Sequence, residues 1–118
     1  MKKKLAIIGA GIAGLTLANF IKKHSDHDFM VYEREESFAL DEGYGIQLAT
    51  NSIKILNEIN FNKISNEKKF NPSFLDFYDI QNKKICDLNL TKFNTSETKY
   101  TTLQRSTLIE YLKEDIYT

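Results

Sequence analysis

The sequence predicts an α/β fold that opens on a right-handed strand–helix–strand unit, and three observations carry the prediction. Leu5-Ala-Ile-Ile8 is an unbroken apolar run that stops at a glycine. Ile12, Leu15, Ala18 and Ile21 then recur at helical spacing, up to the basic stretch Lys22-Lys23-His24. A second apolar run, Phe29–Tyr32, follows the polar turn Ser25–Asp28 and ends in Glu33. Strands joined through a helix return parallel to one another, and such crossovers are right-handed.

Each element has a local reason. An apolar run without alternation suits a parallel strand buried on both faces, which is expected of Leu5–Ile8. The helix from Ile12 to Lys23 ends in cations that complement its dipole. Residues 35–42 read as an irregular connection. Gly43 to Leu48 alternates enough for a short strand, whose two glycines permit close approach of backbone or ligand. Thr50 or Asn51 is an expected N-cap for a helix through Ile59, with Ile53 and Leu56 inward and Asn60 left-handed at its end. Phe61–Asn71 is polar and lysine-rich, which predicts a surface turn or short helix. Phe74–Asp79 and Lys84–Leu88 flank Gln81-Asn82-Lys83 and predict an antiparallel hairpin inserted into the fold. Cys86, on the second of these strands, reads as a small core residue. A short strand is expected over Tyr100–Leu103. A last helix opening at Arg105 or Ser106 then carries Leu108, Ile109, Leu112 and Ile116 on one face.

The first connection carries the chemistry. Gly9-x-Gly11-x-x-Gly14 joins strand to helix, and Glu33 closes the next strand nineteen residues after Gly14. This is the arrangement of a Rossmann-like dinucleotide site. Gly9 permits the tight turn, Gly11 leaves room for a pyrophosphate, and Gly14 lets the helix lie close to the strand. Unsatisfied N–H groups at the helix start, with the positive end of its dipole, face the phosphates. Glu33 can accept hydrogen bonds from ribose hydroxyls, and its charge disfavours a ribose 2′-phosphate. Arg34 either lies over adenine or phosphates, or stands in solvent.

Bulk properties narrow the classes. One hundred and eighteen residues, 42% apolar, suit one domain or part of one with a real core. Sixteen basic and sixteen acidic side chains cancel, so nothing argues for nucleic acid or an anionic membrane as partner. Lys2-Lys3-Lys4 precedes an apolar run too short for a signal peptide or membrane span. A single cysteine excludes a disulfide framework and a thiolate metal cluster, and leads to the expectation of a cytoplasmic setting. His24 and His27 flank a polar turn without a carboxylate on a shared face, so no metal site is expected. No serine, threonine or cysteine has the surroundings of a catalytic nucleophile.

With these elements placed, the chain resembles the amino-terminal portion of FAD-dependent monooxygenases of the aromatic-hydroxylase type. Three segments carry the likeness. They are Ala6-Ile-Ile-Gly-Ala-Gly-Ile-Ala-Gly-Leu15 with Tyr32-Glu33-Arg34, Gly43-Tyr-Gly-Ile-Gln-Leu-Ala-Thr-Asn51, and Leu103-Gln-Arg105-Ser-Thr-Leu108-Ile-Glu-Tyr-Leu112. The second is similar to the family's Gly-x-Gly-Ile-x-Leu-x-x-Asn segment beside the flavin, the third to its Arg-x-x-Leu-x-x-x-Leu helix start. The resemblance implies that Gly9, Gly11, Ile12, Ala13 and Gly14 line the pyrophosphate of FAD and that Glu33 holds the adenosine ribose. It implies that Arg34 lies near the adenine, with Arg105 reaching the cofactor's ribose or phosphates beside Gln104. Gly45 would approach the flavin, or simply shape the start of its strand. Arg105 would alternatively be a surface residue at a helix start. Of sixteen basic residues only Arg34 and Arg105 are arginine, the residue whose planar fork suits phosphate.

The resemblance also implies a chemistry: a flavin reduced by NAD(P)H, whose reaction with O2 hydroxylates a small organic substrate. The chain departs from the family in having no later Gly-Asp or Asp-Gly motif and no length for a substrate domain. It is therefore expected to be a single partial FAD-binding domain, incomplete in its sheet. On its own it is expected to bind FAD weakly, or only its ADP moiety, and to be inactive. Two alternatives stand beside this reading: a fragment of an NAD-linked dehydrogenase, and a non-catalytic or vestigial nucleotide-binding protein.

Overall fold

The structure, a computed structural model, describes residues 1–36 and 43–117. Most of the irregular connection expected over 35–42 therefore lies outside the described residues. In chain order the elements are β1 (Lys4–Ile8), α1 (Ile12–His24), β2 (Asp28–Tyr32), β3 (Gly45–Leu48), α2 (Thr50–Asn57), β4 (Lys69–Phe70), β5 (Phe74–Tyr78), β6 (Lys84–Asn89), β7 (Thr101–Gln104) and α3 (Arg105–Glu114). Short 3-10 turns occupy Phe61–Lys63, Asn66–Lys68 and Leu90–Lys92. The expected α/β fold with a parallel start and an inserted hairpin is present.

Strands β1 and β2 pair in parallel, from Lys4 opposite Asp28 to Ile8 opposite Tyr32. Helix α1 covers one face of this pair, where Ile7 is buried. The other face is not covered by any described residue: Ile8 is 81% exposed, and Met30 and Tyr32 lie open beside it. The expectation of a strand buried on both sides is thus corrected. The apolar run is present, but only one of the two layers that bury such a sheet belongs to the described residues.

A second sheet, ordered β3-β7-β4, is antiparallel, with Gly45 opposite Gln104 and Lys69 opposite Leu103. Its inner face and helices α1, α2 and α3 enclose a core of Leu15, Ile53, Leu56, Leu103, Leu108, Ile109 and Leu112. Leu15, Leu108 and Leu112 are fully buried, and removing a leucine side chain from water is worth about 2 kcal/mol. Asn19 fastens the two long helices together. Its amide donates to the Leu15 carbonyl at 2.8 Å within α1 and to the Leu112 carbonyl at 2.7 Å in α3.

Three local expectations are corrected. Helix α2 is preceded by Ala49, without a side-chain cap, rather than by Thr50 or Asn51. The segment after it is not merely surface, because Phe61 (2% exposed) and Ile64 join the core. The left-handed Asn60 (φ 69°) turns the chain so that they can. Cys86 is exposed. The hairpin β5–β6 is a two-stranded ribbon with both faces largely open, so an inward position on its strand does not exist. Its turn is held by Asp79, whose carboxylate accepts from the Gln81 and Lys83 amides, with Asn82 left-handed. Lys84 bridges Asp76 and Asp87 across the strands at 3.3 and 3.2 Å.

Tyr111 ties α3 to the end of α2 by donating its hydroxyl hydrogen to the Ile59 carbonyl. Burial, aided by the charges of Asp115 and Glu114, pushes its pKa up to about 12. A phenol harder to ionise in the fold than in the unfolded chain contributes stability that is complete below its ordinary value and is lost as pH rises through the folded one. Urea unfolding between pH 10 and 12 should show a decline in the wild type that is smaller in Tyr111→Phe. Parallel declines would remove this role.

Candidate functional site

The site begins at the turn out of β1. Gly9 sits at φ +100°, a conformation that side chains rarely adopt, and its amide donates to the Tyr32 carbonyl at 2.7 Å. The turn is thereby pinned to the end of β2. Helix α1 starts three residues later, with Gly11 as its extended N-cap and no side-chain cap. The first N–H groups of a helix have no acceptor within it, so those of Ile12, Ala13 and Gly14 are available to a ligand and carry the positive end of the dipole.

The glycines differ in what surrounds them. A Cβ on Gly14 would fall 2.0 Å from the Gly9 carbonyl oxygen and 3.3 Å from Ile7. Helix and turn therefore touch backbone to backbone at Gly14. A Cβ on Gly11 would meet nothing within 4 Å. That open space lies at the uncapped helix end and matches what a close-lying diphosphate requires.

Glu33 closes the site. One carboxylate oxygen accepts from the Ala10 amide at 2.8 Å, the other from the Glu35 amide at 3.0 Å. The hydrogen bonds from Glu35 and then Ala10 hold the carboxyl below the ordinary glutamate range, with Arg34 helping. The group is thus an anion fixed beside the helix start, and each oxygen keeps a further acceptor position for a sugar hydroxyl. Arg34 follows directly; its side chain is 92% exposed and pairs with Glu35 at 3.2 Å.

A second cluster forms where β3 meets β7. Gly45 stands opposite Gln104. The Arg105 amide donates to the Tyr44 carbonyl at 3.1 Å, and its guanidinium lies 5.7 Å from the centre of the Tyr44 ring. The structure therefore brings Gly9, Gly11, Ile12, Ala13, Gly14 and Glu33 together, and separately Gly45, Gln104 and Arg105. Ala10, beside the first group, and Leu103, beside the second, belong to the same buried core. Sequence reasoning missed Ala10 as the partner of Glu33 and Tyr44 as the partner of Arg105. Both follow from backbone placement, which residue identity does not signal. No group of three or more potential metal ligands exists among the described residues, and none of their helices is long and apolar enough to cross a membrane.

Comparison with known proteins agrees with this geometry. Residues 7–41 match the family model of an NAD(P)-binding Rossmann-like domain. Over 58 residues, 49% of the chain, it is 45% identical to 3-amino-4-hydroxybenzoate 2-monooxygenase PtnB3 of Streptomyces platensis, and the match spans 14% of that enzyme's length. In fold it is similar to HpxO of Klebsiella pneumoniae, solved with FAD and uric acid, at a TM-score of 0.73 and 20% identity, covering 97% of this chain and 28% of that one. It is likewise similar to p-nitrophenol 4-monooxygenase PnpA of Pseudomonas putida DLL-E4, at a TM-score of 0.78 and 13% identity, covering 98% and 30%.

Two predictions follow from the geometry. Gly14→Ala should lower the unfolding free energy by about 2–3 kcal/mol, because the methyl group must displace backbone, and urea unfolding measures it. Glu33 has a lowered folded pKa, so its contribution is complete above the ordinary value of 4.5 and is lost as pH falls through the folded one. The stability difference between wild type and Glu33→Gln should therefore shrink as unfolding is measured further below pH 4.5. A difference independent of pH would show that the carboxylate does not hold the turn. In sequence across 49% of its length, and in fold over nearly all of it, the chain resembles the FAD-dependent monooxygenases of the aromatic-hydroxylase type.

Proposed function

We propose that the chain binds the ADP portion of FAD at the β1–α1 junction, as the FAD-binding part of a monooxygenase that uses NAD(P)H and O2 to hydroxylate a small organic substrate. One observation carries the reading: an uncapped helix start, open at Gly11, stands beside a carboxylate fixed on the Ala10 amide. The amides of Ile12, Ala13 and Gly14 would hold the diphosphate, and Glu33 the adenosine ribose through its remaining acceptor positions. Arg105 and Gln104 would meet the cofactor from the β3–β7 side, where Gly45 leaves backbone accessible. Bound FAD would supply the electron transfer that this set of side chains lacks. The reaction of the whole enzyme, its substrate and a cytoplasmic location belong to this proposal; the names of the monooxygenase relatives support the class of reaction.

A second reading has its own support, since the matched family model is described as NAD(P)-binding. The same turn would then hold NAD, with Glu33 again against the ribose and unfavourable to a 2′-phosphate. Titrations with FAD, ADP and NAD separate the two. FAD and ADP should saturate the wild type, and Gly11→Val should weaken both at least about tenfold. Because a Cβ at Gly11 meets no protein atom, the variant should keep its thermal midpoint. Undiminished FAD binding by Gly11→Val would overturn the assignment of the diphosphate, and tighter binding of NAD than of FAD would favour the dehydrogenase reading.

A further inference from the structure

On the far side of the second sheet from Gly45 and Gln104, a half-open cleft of about 810 Å³ lies between α2, β4 and the chain leading into β7. None of the residues assigned to FAD lines it. Its walls are polar: Asn57, Asn62, Asn66 and Asn71 contribute amides, and Lys69 and Lys99 contribute cations. Glu97 is the sole carboxylate among its lining residues.

Lys69 is the feature that ordinary packing does not explain. It sits on β4 opposite Leu103, on the sheet face that turns toward the core, and is only partly exposed. Its ammonium stands 5.4 Å from the centre of the Phe61 ring. Among the described residues it has no carboxylate within ion-pair distance. Burial holds its pKa below the ordinary lysine value. A cation that has lost water without gaining a counter-charge is a cost to the fold, partly offset by the ring. A bound anion would remove that cost.

Two of the cleft's amides are held in place by hydrogen bonds. Asn71 donates to the Tyr100 carbonyl and to the Thr101 hydroxyl, both at 3.0 Å. Asn57 donates to the Glu97 carbonyl at 2.9 Å, while its own side-chain oxygen is buried without a donor. Amides both donate and accept, which suits hydroxyl groups rather than an apolar body.

We propose that this cleft binds a small hydroxylated oxyanion, with Lys69 as its charge partner and the asparagine amides as partners for its hydroxyls. Sugar phosphates and hydroxy-carboxylic acids share this chemistry. The test is a titration of the ¹⁵N-labelled protein with glucose 6-phosphate, with citrate, and with glucose as neutral control, read at the asparagine side-chain amides. Saturable shifts at Asn57 and Asn71 with either anion support the proposal, and the arm that binds more tightly names the source. Glucose should bind at least about tenfold more weakly than its phosphate.

Lys69→Met keeps the stem over Phe61 and should weaken binding at least about tenfold, while Lys69→Arg should retain it. Asn62→Asp, at an exposed position, places a second carboxylate in the cleft and should weaken binding similarly, even if Lys69→Met folds poorly. The proposal is overturned if neither anion gives a saturable shift below about 10 mM. Unchanged affinity in both Lys69→Met and Asn62→Asp overturns it as well.

Discussion

Helix α1 lies against the turn that precedes it with no side chain between them, and the rest of the arrangement depends on that closeness. At Gly14 the Gly9 carbonyl of the turn occupies the space where any other residue would carry its Cβ, which would fall 2.0 Å from that oxygen. This contact sets where the helix axis passes over Ile7 and so where its amino end points. An end fixed in this way needs no capping side chain, and α1 has none. Stability and binding capacity thus originate in adjacent glycines with opposite surroundings. One is filled by the protein's own backbone; the other is left open.

The remaining elements hold this geometry from outside. Glu33 spans the ends of β1 and β2, accepting from Ala10 in one turn and Glu35 in the other. Asn19 joins α1 to α3 through two carbonyls, and Leu15 meets the leucines of α3 in a fully buried cluster. Helix α3 follows β7 directly, so the same packing fixes the β3–β7 edge where Gly45, Gln104 and Arg105 gather. Two parts of the chain far apart in sequence are therefore registered against one helix.

Much of this was legible in the residues, for physical reasons that can be stated. Gly9, Gly11 and Gly14 constrain backbone more than side chain, so their spacing reports a turn and a helix start directly. The hairpin was legible because alternation and a polar turn are local properties. What escaped was set at longer range. That Phe61 turns inward depends on the left-handed Asn60 and on space beneath α3, although Asn60 itself was readable. That Cys86 is exposed depends on what covers a ribbon, and no local pattern reports coverage. The same blindness made Leu5–Ile8 read as doubly buried, when its apolar character is satisfied on one side by α1. In the site, Glu33 stood out as the acidic residue closing the second strand, but its hydrogen bonds to Ala10 and Glu35 required knowing how two turns approach. Arg34 and Arg105 looked equivalent as rare arginines. The fold turns the first outward to Glu35 and lays the second against Tyr44.

The one-sided cover of the parallel strands has a thermodynamic corollary. Strand β2 pairs with β1 alone among the described strands and is screened by a helix on a single face, so its local opening is opposed by fewer buried groups than that of β7. Opening it carries Glu33 away from Ala10 and dismantles the anionic half of the junction. By linkage, a molecule that grips the helix start and Glu33 together also suppresses fraying of that strand pair, by an amount that grows with the logarithm of its concentration above its dissociation constant. Occupancy and local order at this corner are one equilibrium seen from two sides.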